Sequence, residues 1–149
     1  MKKGIFRNEK GVSLVEVLMA ISIISILLGI SVSGYFYYKK NSGLNLSLQQ
    51  TANMIRRAKS NAVSGSSDSQ WGVNIEKKKV TVFKGGSFSG RNPSFDEVAQ
   101  INGVTGVSGS TSIIFAKFTG LPSPSGSVTL QSGSQNKSIQ INEAGIVSY

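Results

Sequence analysis

The chain is 149 residues long, the size of one modest domain with an appended segment. It contains no cysteine and no histidine, which excludes disulfides, thiolate nucleophiles, imidazole bases and the usual zinc ligands. The net charge is +9, from 16 Lys and Arg against 7 Asp and Glu, and part of this excess lies in the first eleven residues. The composition therefore predicts a protein that is not an enzyme and that holds no metal or cofactor.

An apolar helix is the first predicted element, and it follows a short basic leader, residues 1–11. Residues 17–38 carry no charged side chain. A helix of that length, at about 1.5 Å per residue, crosses a hydrocarbon core of roughly 30 Å. The run is too long for a cleaved secretory signal, whose apolar region spans about 7 to 15 residues. Because the basic residues precede it, we predict a single inner-membrane span over residues 12–40 with the C-terminal part outside the cytoplasm.

Glu16 is the unusual residue of this helix, since a plain membrane anchor gives no reason for a carboxylate beside the apolar run. An ionised carboxylate costs about 2.5 to 3.5 kcal/mol at the bilayer centre and less toward an edge. Cleavage between Gly11 and Val12 would supply a partner, because the new α-amine of Val12 is largely cationic at neutral pH. Val12 and Glu16 are four residues apart, on one helix face. We predict that Glu16 pairs with this amine, in its own chain or in a neighbouring one.

The same residues resemble a known processing signal. A basic leader, Gly11, an apolar helix and Glu16 as the fifth residue after the glycine together resemble the class III signal of type IV pilins and type II secretion pseudopilins. The resemblance implies that a prepilin peptidase cleaves after Gly11 and that the new N-terminus, Val12, is methylated. It also implies that Glu16 neutralises the amine of an adjacent subunit during filament assembly. The family usually has phenylalanine where this chain has Val12.

A second, amphipathic helical segment is predicted over residues 41–63. At 100° per residue, seven small or apolar residues fall on one face: Leu44, Leu48, Thr51, Ala52, Ile55, Ala58 and Ala62. Asn41 and Gly43 are expected to permit a local bend or a short unwound stretch, because glycine inside a helix costs roughly 0.5 to 1 kcal/mol relative to alanine. We expect the apolar face to pack against a sheet.

Short β-branched runs separated by Gly, Ser, Asn and Pro predict a small sheet domain over residues 64–149. Residues 71–75 and 80–83 alternate apolar and polar side chains, and residues 76–79 are predicted to form the turn of a hairpin. Further strands are predicted over residues 98–101, 112–118, 127–130, 138–141 and 145–147. The predicted core against Leu48 and Ile55 comprises Phe83, Ile113, Phe115, Val128, Leu130, Ile139 and Ile141.

These elements together predict an α+β fold. A long N-terminal helix, transmembrane and then amphipathic, is expected to pack against a small antiparallel β-sheet head in a pilin-like lollipop. The predicted organisation is a leader over residues 1–11, a membrane or filament-core helix over 12–40, an amphipathic helix over 41–63 and a head over 64–149.

The C-terminal region narrows the resemblance. The segments I-I-F-A-K-F-T-G (113–120), S-V-T-L-Q (127–131) and K-S-I-Q-I-N-E-A-G-I-V (137–147) resemble the region shared by H-type minor pseudopilins and fimbrial T-type minor pilins. This resemblance implies a minor subunit of a secretion pseudopilus or a type IV pilus, in a priming or tip complex for protein secretion. The implied partners are the membrane, the prepilin peptidase and other pilins in a helical filament, with no small-molecule substrate.

DNA binding is the alternative function. Five basic residues are close in sequence and have Phe83 and Phe88 among them: Lys77, Lys78, Lys79, Lys84 and Arg91. Such a strip neutralises phosphates in a nucleic-acid interface, and fimbrial T-type relatives occur in DNA-uptake pili. Lysines in a hairpin turn also have a simpler explanation, since solvated charges discourage edge-to-edge pairing of sheets. The sequence leaves both explanations open.

Overall fold

The computed structural model describes the backbone of residues 11–149, and the side chains of these residues apart from 30–34 and 36–41. The predicted leader lies outside the described residues except for Gly11. Contacts divide the chain into two units, one ending at Tyr38 and the other spanning Lys39–Tyr149. A helix, α1 (Leu14–Val63), contributes residues to both units.

In the first unit, α1 begins at a serine cap. The Val15 N–H donates to Ser13 Oγ at 3.2 Å, and the Val17 N–H donates to the Ser13 carbonyl at 3.2 Å. Residues 11–29 are all exposed. The predicted membrane span is not confirmed, because no helix among the described residues combines the length and the apolar character that a crossing requires.

In the second unit, α1 supplies one wall of the core. Leu44, Ala52, Ile55, Ala58 and Ala62 are fully buried, as the amphipathic pattern predicted. The backbone stays helical through Asn41 and Gly43, so the expected unwound stretch does not form. Helix packing compensates for the low helix propensity of one glycine, which costs only about 1 kcal/mol.

The head contains nine strands in two antiparallel sheets. The strands are β1 (Trp71–Ile75), β2 (Lys79–Lys84), β3 (Glu97–Gln100), β4 (Gly106–Gly109), β5 (Ser112–Phe115), β6 (Pro122–Ser123), β7 (Gly126–Ser132), β8 (Gln135–Ile141) and β9 (Val147–Ser148). One sheet has the order β3-β2-β1-β5-β6 and the other β4-β7-β8-β9. This confirms the α+β fold class.

The predicted hairpin of β1 and β2 is present, with Ile75 opposite Val80 and Gly72 opposite Phe83. Of the predicted strands only β1 has the predicted bounds; β2, β3, β7 and β8 differ by one to three residues at an end, and two further predicted strands begin or end elsewhere. The strand predicted over residues 112–118 ends at Phe115, because Phe118 has a φ of +66° and the Gly120 N–H donates to the Ala116 carbonyl at 2.8 Å. The last strand begins at Val147, after a turn closed by Gly145.

The core lies between α1 and the inner faces of the sheets. Of the seven predicted core residues, Ile113, Phe115, Val128, Leu130, Ile139 and Ile141 belong to this buried cluster.

Phe83 is buried but lies on the other face of its sheet. Its ring covers Gly72, where an added Cβ would stand 2.4 Å from Phe83 Cζ. The Phe88 ring packs edge-on against Phe83 at 5.4 Å between centroids. The prediction of Phe83 as a helix-facing core residue is therefore wrong, because successive strand residues point to opposite faces and Val82 takes the inner one.

Candidate functional site

Gly11, Val12 and Ser13 precede the helix, so the predicted cleavage bond lies in non-helical backbone. Both residues of that bond are exposed, and among the described residues beyond its chain neighbours no atom lies within 4 Å of the position that a Gly11 side chain would occupy. Proteolysis favours exposed backbone that is not tied into secondary structure. The Gly11–Val12 bond therefore has the local structure of a cleavable site.

Glu16 lies in the first turn of α1 and is exposed. Ser13 caps the helix, and Glu16 is three residues beyond it, which is the spacing of a capping box. A carboxylate at a helix N-terminus interacts favourably with the helix dipole, by roughly 0.3 to 1 kcal/mol. Sequence reasoning missed this role of Ser13, although the pattern S-L-V-E over residues 13–16 carries the signal.

The first half of α1 presents apolar surface on all sides. Large apolar residues that are at least 45% exposed include Leu14, Val15, Val17, Leu18, Met19, Ile21, Ile23, Ile24, Ile26, Leu27 and Leu28. The two serines in this stretch donate back to the helix: Ser22 Oγ to the Leu18 carbonyl and Ser25 Oγ to the Ile21 carbonyl, both at 2.8 Å. Because these hydroxyls are satisfied internally, they are compatible with apolar surroundings.

A comparison with protein families identifies this segment. A family model described as a prokaryotic N-terminal methylation motif matches residues 6–32, which include Gly11, Val12 and Glu16. The match supports a type IV pilin-like protein that a prepilin peptidase processes and that assembles with other pilins. No curated protein and no solved structure matches the chain.

The basic residues predicted as a DNA contact lie in two groups, at opposite ends of β2. Lys77 and Lys78 are exposed in the hairpin turn, and Lys79 pairs with Glu76 at 3.6 Å. At about 3.3 Å per residue, the five steps from Lys79 to Lys84 separate the two groups by roughly 17 Å. The structure therefore does not bring the five basic side chains into one compact cluster.

In the second group, the basic side chains make contacts inside the head. Arg91 Nε donates to the Asp96 carboxylate at 2.8 Å, and Arg91 Nη1 donates to the Phe88 carbonyl at 2.7 Å. The Arg91 guanidinium also lies 3.7 Å from the centroid of the Phe88 ring, while Lys84 lies 4.5 Å from that of Phe95. Arg91 thus holds the loop over residues 85–96 in place.

Asp96 is the partner that sequence reasoning did not connect with Arg91. The side chains of this pair are only 23% and 13% exposed. The turn that joins them begins with Asn92, whose side-chain oxygen accepts from the Ser94 N–H at 3.1 Å. An asparagine followed by proline is a recognisable turn signal, but nothing in that signal shows which charges the turn brings together.

A further ion pair, between Lys117 and Asp68, joins the segment after α1 to the segment after β5. Asp68 accepts a hydrogen bond from Lys117, which holds the pKa of that carboxyl below its ordinary value through the hydrogen bond and the positive charge. Trp71 Nε1 donates to the Ser66 carbonyl at 2.9 Å, and the Phe118 N–H donates to the Ala62 carbonyl at 2.9 Å. Among the residues described, no group of three or more His, Cys, Asp or Glu is arranged to hold a metal ion.

Proposed function

We propose that the chain is an H-type minor pseudopilin or a related fimbrial T-like minor pilin, assembled into a type II secretion pseudopilus or a type IV pilus. The observation that carries the proposal is the methylation motif over residues 6–32, which coincides with a capped helix whose apolar side chains are exposed. A helix with that surface is suited to packing inside a bundle of like helices.

Maturation would convert the N-terminus into a charged group. Prepilin peptidase cleaves between Gly11 and Val12 and methylates the new amine, which remains cationic. The subunit waits in the inner membrane with its head outside the cytoplasm. Glu16 neutralises the Val12 amine of an adjacent subunit as an assembly machine draws both into the filament, since an unpaired charge in an apolar bundle is costly.

The H-type assignment rests on the resemblance of the C-terminal region. The quoted segments correspond to β5, β7, β8 and the start of β9, which supply Ile113, Phe115, Val128, Leu130 and Ile139 to the core. Their resemblance therefore concerns the part of the sequence that the head needs for its fold. We place the subunit in a complex that primes the filament or forms its tip.

We propose a mechanical and not a catalytic role. Serine is abundant, but a serine nucleophile needs a positioned base, and the chain has no histidine. The basic residues support the alternative of DNA uptake only in part. Lys84 and Arg91 are engaged inside the head, which leaves the lysines of the hairpin for an external contact.

Processing and assembly test the proposal in one experiment. The full chain is co-expressed with a prepilin peptidase and the cognate filament system, and sheared filaments are examined by mass spectrometry. We expect subunits that begin at methylated Val12. Glu16→Gln is expected to reduce incorporation at least tenfold while leaving cleavage intact.

Glu143→Gln is the matched control, because it removes the same charge from an exposed turn of the head. It should incorporate like the natural chain. The proposal is wrong if assembled subunits keep residues 1–11, or if Glu16→Gln enters filaments as efficiently as Glu143→Gln.

A further inference from the structure

A groove of about 700 Å³ lies beside the β1–β2 hairpin, within the head. Its apolar lining comes from Val107, which is half-buried, with Ile75 beneath it only 2% exposed, and Thr111 also lines the groove. The hairpin contributes four consecutive charged residues to the lining, Glu76 and the three lysines that follow it. The groove thus combines an apolar floor with a charged rim on one side.

The charges of this rim do not cancel. Three lysines and one glutamate give a net charge of +2. Glu76 is already engaged, since it pairs with Lys79 at 3.6 Å and accepts from Asn74 Nδ2 at 3.1 Å. Lys77 and Lys78 are exposed, and in the part of the chain that the structure describes no carboxylate pairs with either. Two positive charges therefore face solvent beside an apolar floor.

The walls of the groove are tied to one another by backbone hydrogen bonds. The Ile75 N–H donates to the Thr111 carbonyl at 2.8 Å, which joins the hairpin to the segment between β4 and β5. The Glu76 N–H donates to the Lys79 carbonyl and the Ile101 N–H to the Lys78 carbonyl, both at 2.9 Å. A partner that binds here orders little backbone, and this lowers the entropic cost of association.

We propose that this groove binds an acidic peptide segment of a partner protein, with the carboxylates on Lys77 and Lys78 and an apolar side chain on the floor. Charge complementarity selects the acidic character, and the floor selects a protein segment over a nucleic acid. A phosphate backbone gains nothing from the apolar side chain of Val107. Two free lysines also neutralise few phosphates, whereas DNA-binding surfaces typically contact many more.

This inference does not depend on the proposed filament role. It concerns only the surface of the head, and a tethered domain that never enters a filament would present the same groove. Loss of assembly in Glu16→Gln and loss of peptide binding by the hairpin are therefore separate outcomes.

The test uses the full chain in detergent micelles and a capped, dye-labelled synthetic peptide that alternates glutamate and valine. We expect saturable binding in fluorescence anisotropy that weakens as salt rises. Combined Lys77→Ala and Lys78→Ala changes should raise the dissociation constant about fivefold to tenfold, which is the effect expected from the loss of two exposed ion pairs. A peptide with glutamine in place of glutamate should bind the natural chain about as weakly as the glutamate peptide binds the double variant.

Lys137→Ala is the charge-matched control for Lys77→Ala alone, because each change removes one lysine and Lys137 lies on β8, where it lines a different groove. It should bind the peptide like the natural chain. Val107→Thr keeps every charge but makes the floor polar, and should weaken binding of the glutamate–valine peptide.

Three results would overturn the inference. One is no binding of the peptide even at low salt. Another is an equal loss of affinity in Lys137→Ala and in Lys77→Ala alone, which would indicate attraction by net charge alone. The third is duplex DNA that competes at lower concentration than the peptide and depends on the hairpin lysines, which would make the site a nucleic-acid contact.

Discussion

Leucine and isoleucine side chains are exposed in the first unit of this chain and buried in the second. In the first unit Leu14 is 79% and Ile26 64% exposed, whereas in the second unit Leu44 and Ile55 are fully buried. All four lie on α1, so helix propensity does not separate them. What differs is that the second unit brings two sheets to its helix, while the described part of the first unit offers no comparable surface. The methylation motif over residues 6–32, which supports assembly with other pilins, includes this exposed segment.

The largest expected effect tests this contrast directly. Phe115→Ala removes a fully buried ring from the core of the head and should lower the free energy of unfolding by about 3 to 5 kcal/mol. Ile24→Ala removes a side chain that is 55% exposed and should leave head stability nearly unchanged. Urea unfolding of the full chain in detergent, followed by the fluorescence of the sole tryptophan, Trp71, measures both. Equal effects of the two changes would remove the contrast.

Two glycines, one in each unit, should respond in opposite ways to replacement by alanine. Gly72→Ala places a methyl group against the Phe83 ring and should cost about 2 kcal/mol by overpacking. Gly29→Ala meets no atom within 4 Å among the side chains that the structure describes, and should stabilise the helix by up to about 1 kcal/mol. Urea unfolding reports the first change and helical circular dichroism on heating the second. If Gly72→Ala is as stable as the natural chain, the Phe83 ring moves aside for the methyl group without destabilising the head.

Arg91 should matter to the head more than its surface position suggests. Arg91→Ala leaves Asp96 without its partner and removes the stacking on Phe88, so we expect a loss of about 1.5 kcal/mol. Arg91→Lys keeps the charge but replaces the two nitrogens that contact Asp96 and the Phe88 carbonyl with one, and should recover only part of the loss. Thermal denaturation compares the two variants. If Arg91→Lys is as stable as the natural chain, the attraction between the two charges accounts for the whole contribution of Arg91.

The smallest effect concerns Asp68, which is exposed and paired with Lys117. Its pKa is lowered in the folded chain, so its stabilising contribution is present above the ordinary aspartate pKa and is lost as the pH falls through the lower folded value. At neutral pH, Asp68→Asn should unfold at a slightly lower urea concentration than the natural chain. At a pH below the lowered pKa of Asp68, the two chains should unfold at the same urea concentration. Urea midpoints at both pH values measure the difference. A gap that persists in acid would assign the effect to packing.

Local patterns in the sequence predicted much of the fold. Period-3.6 spacing located the buried face of α1 in the head, and alternation located β1, β2, β7 and β8 within a few residues. The same reasoning missed β4 and β6. The run G-V-S-G of β4 has too little alternation to read, and β6 contains only two residues, one of them a proline.

The sequence by itself determined the methylation motif around Gly11 and Glu16, the α+β class and most of the core, because these depend on residue type and short-range spacing. Only the tertiary structure decided that the strands divide into two sheets, that Phe83 covers Gly72, and that Arg91 pairs with Asp96 while Lys77 and Lys78 are exposed. The physical reason is that the partner of a charge or a ring depends on where loops place distant segments. Spacing along the chain does not record that placement.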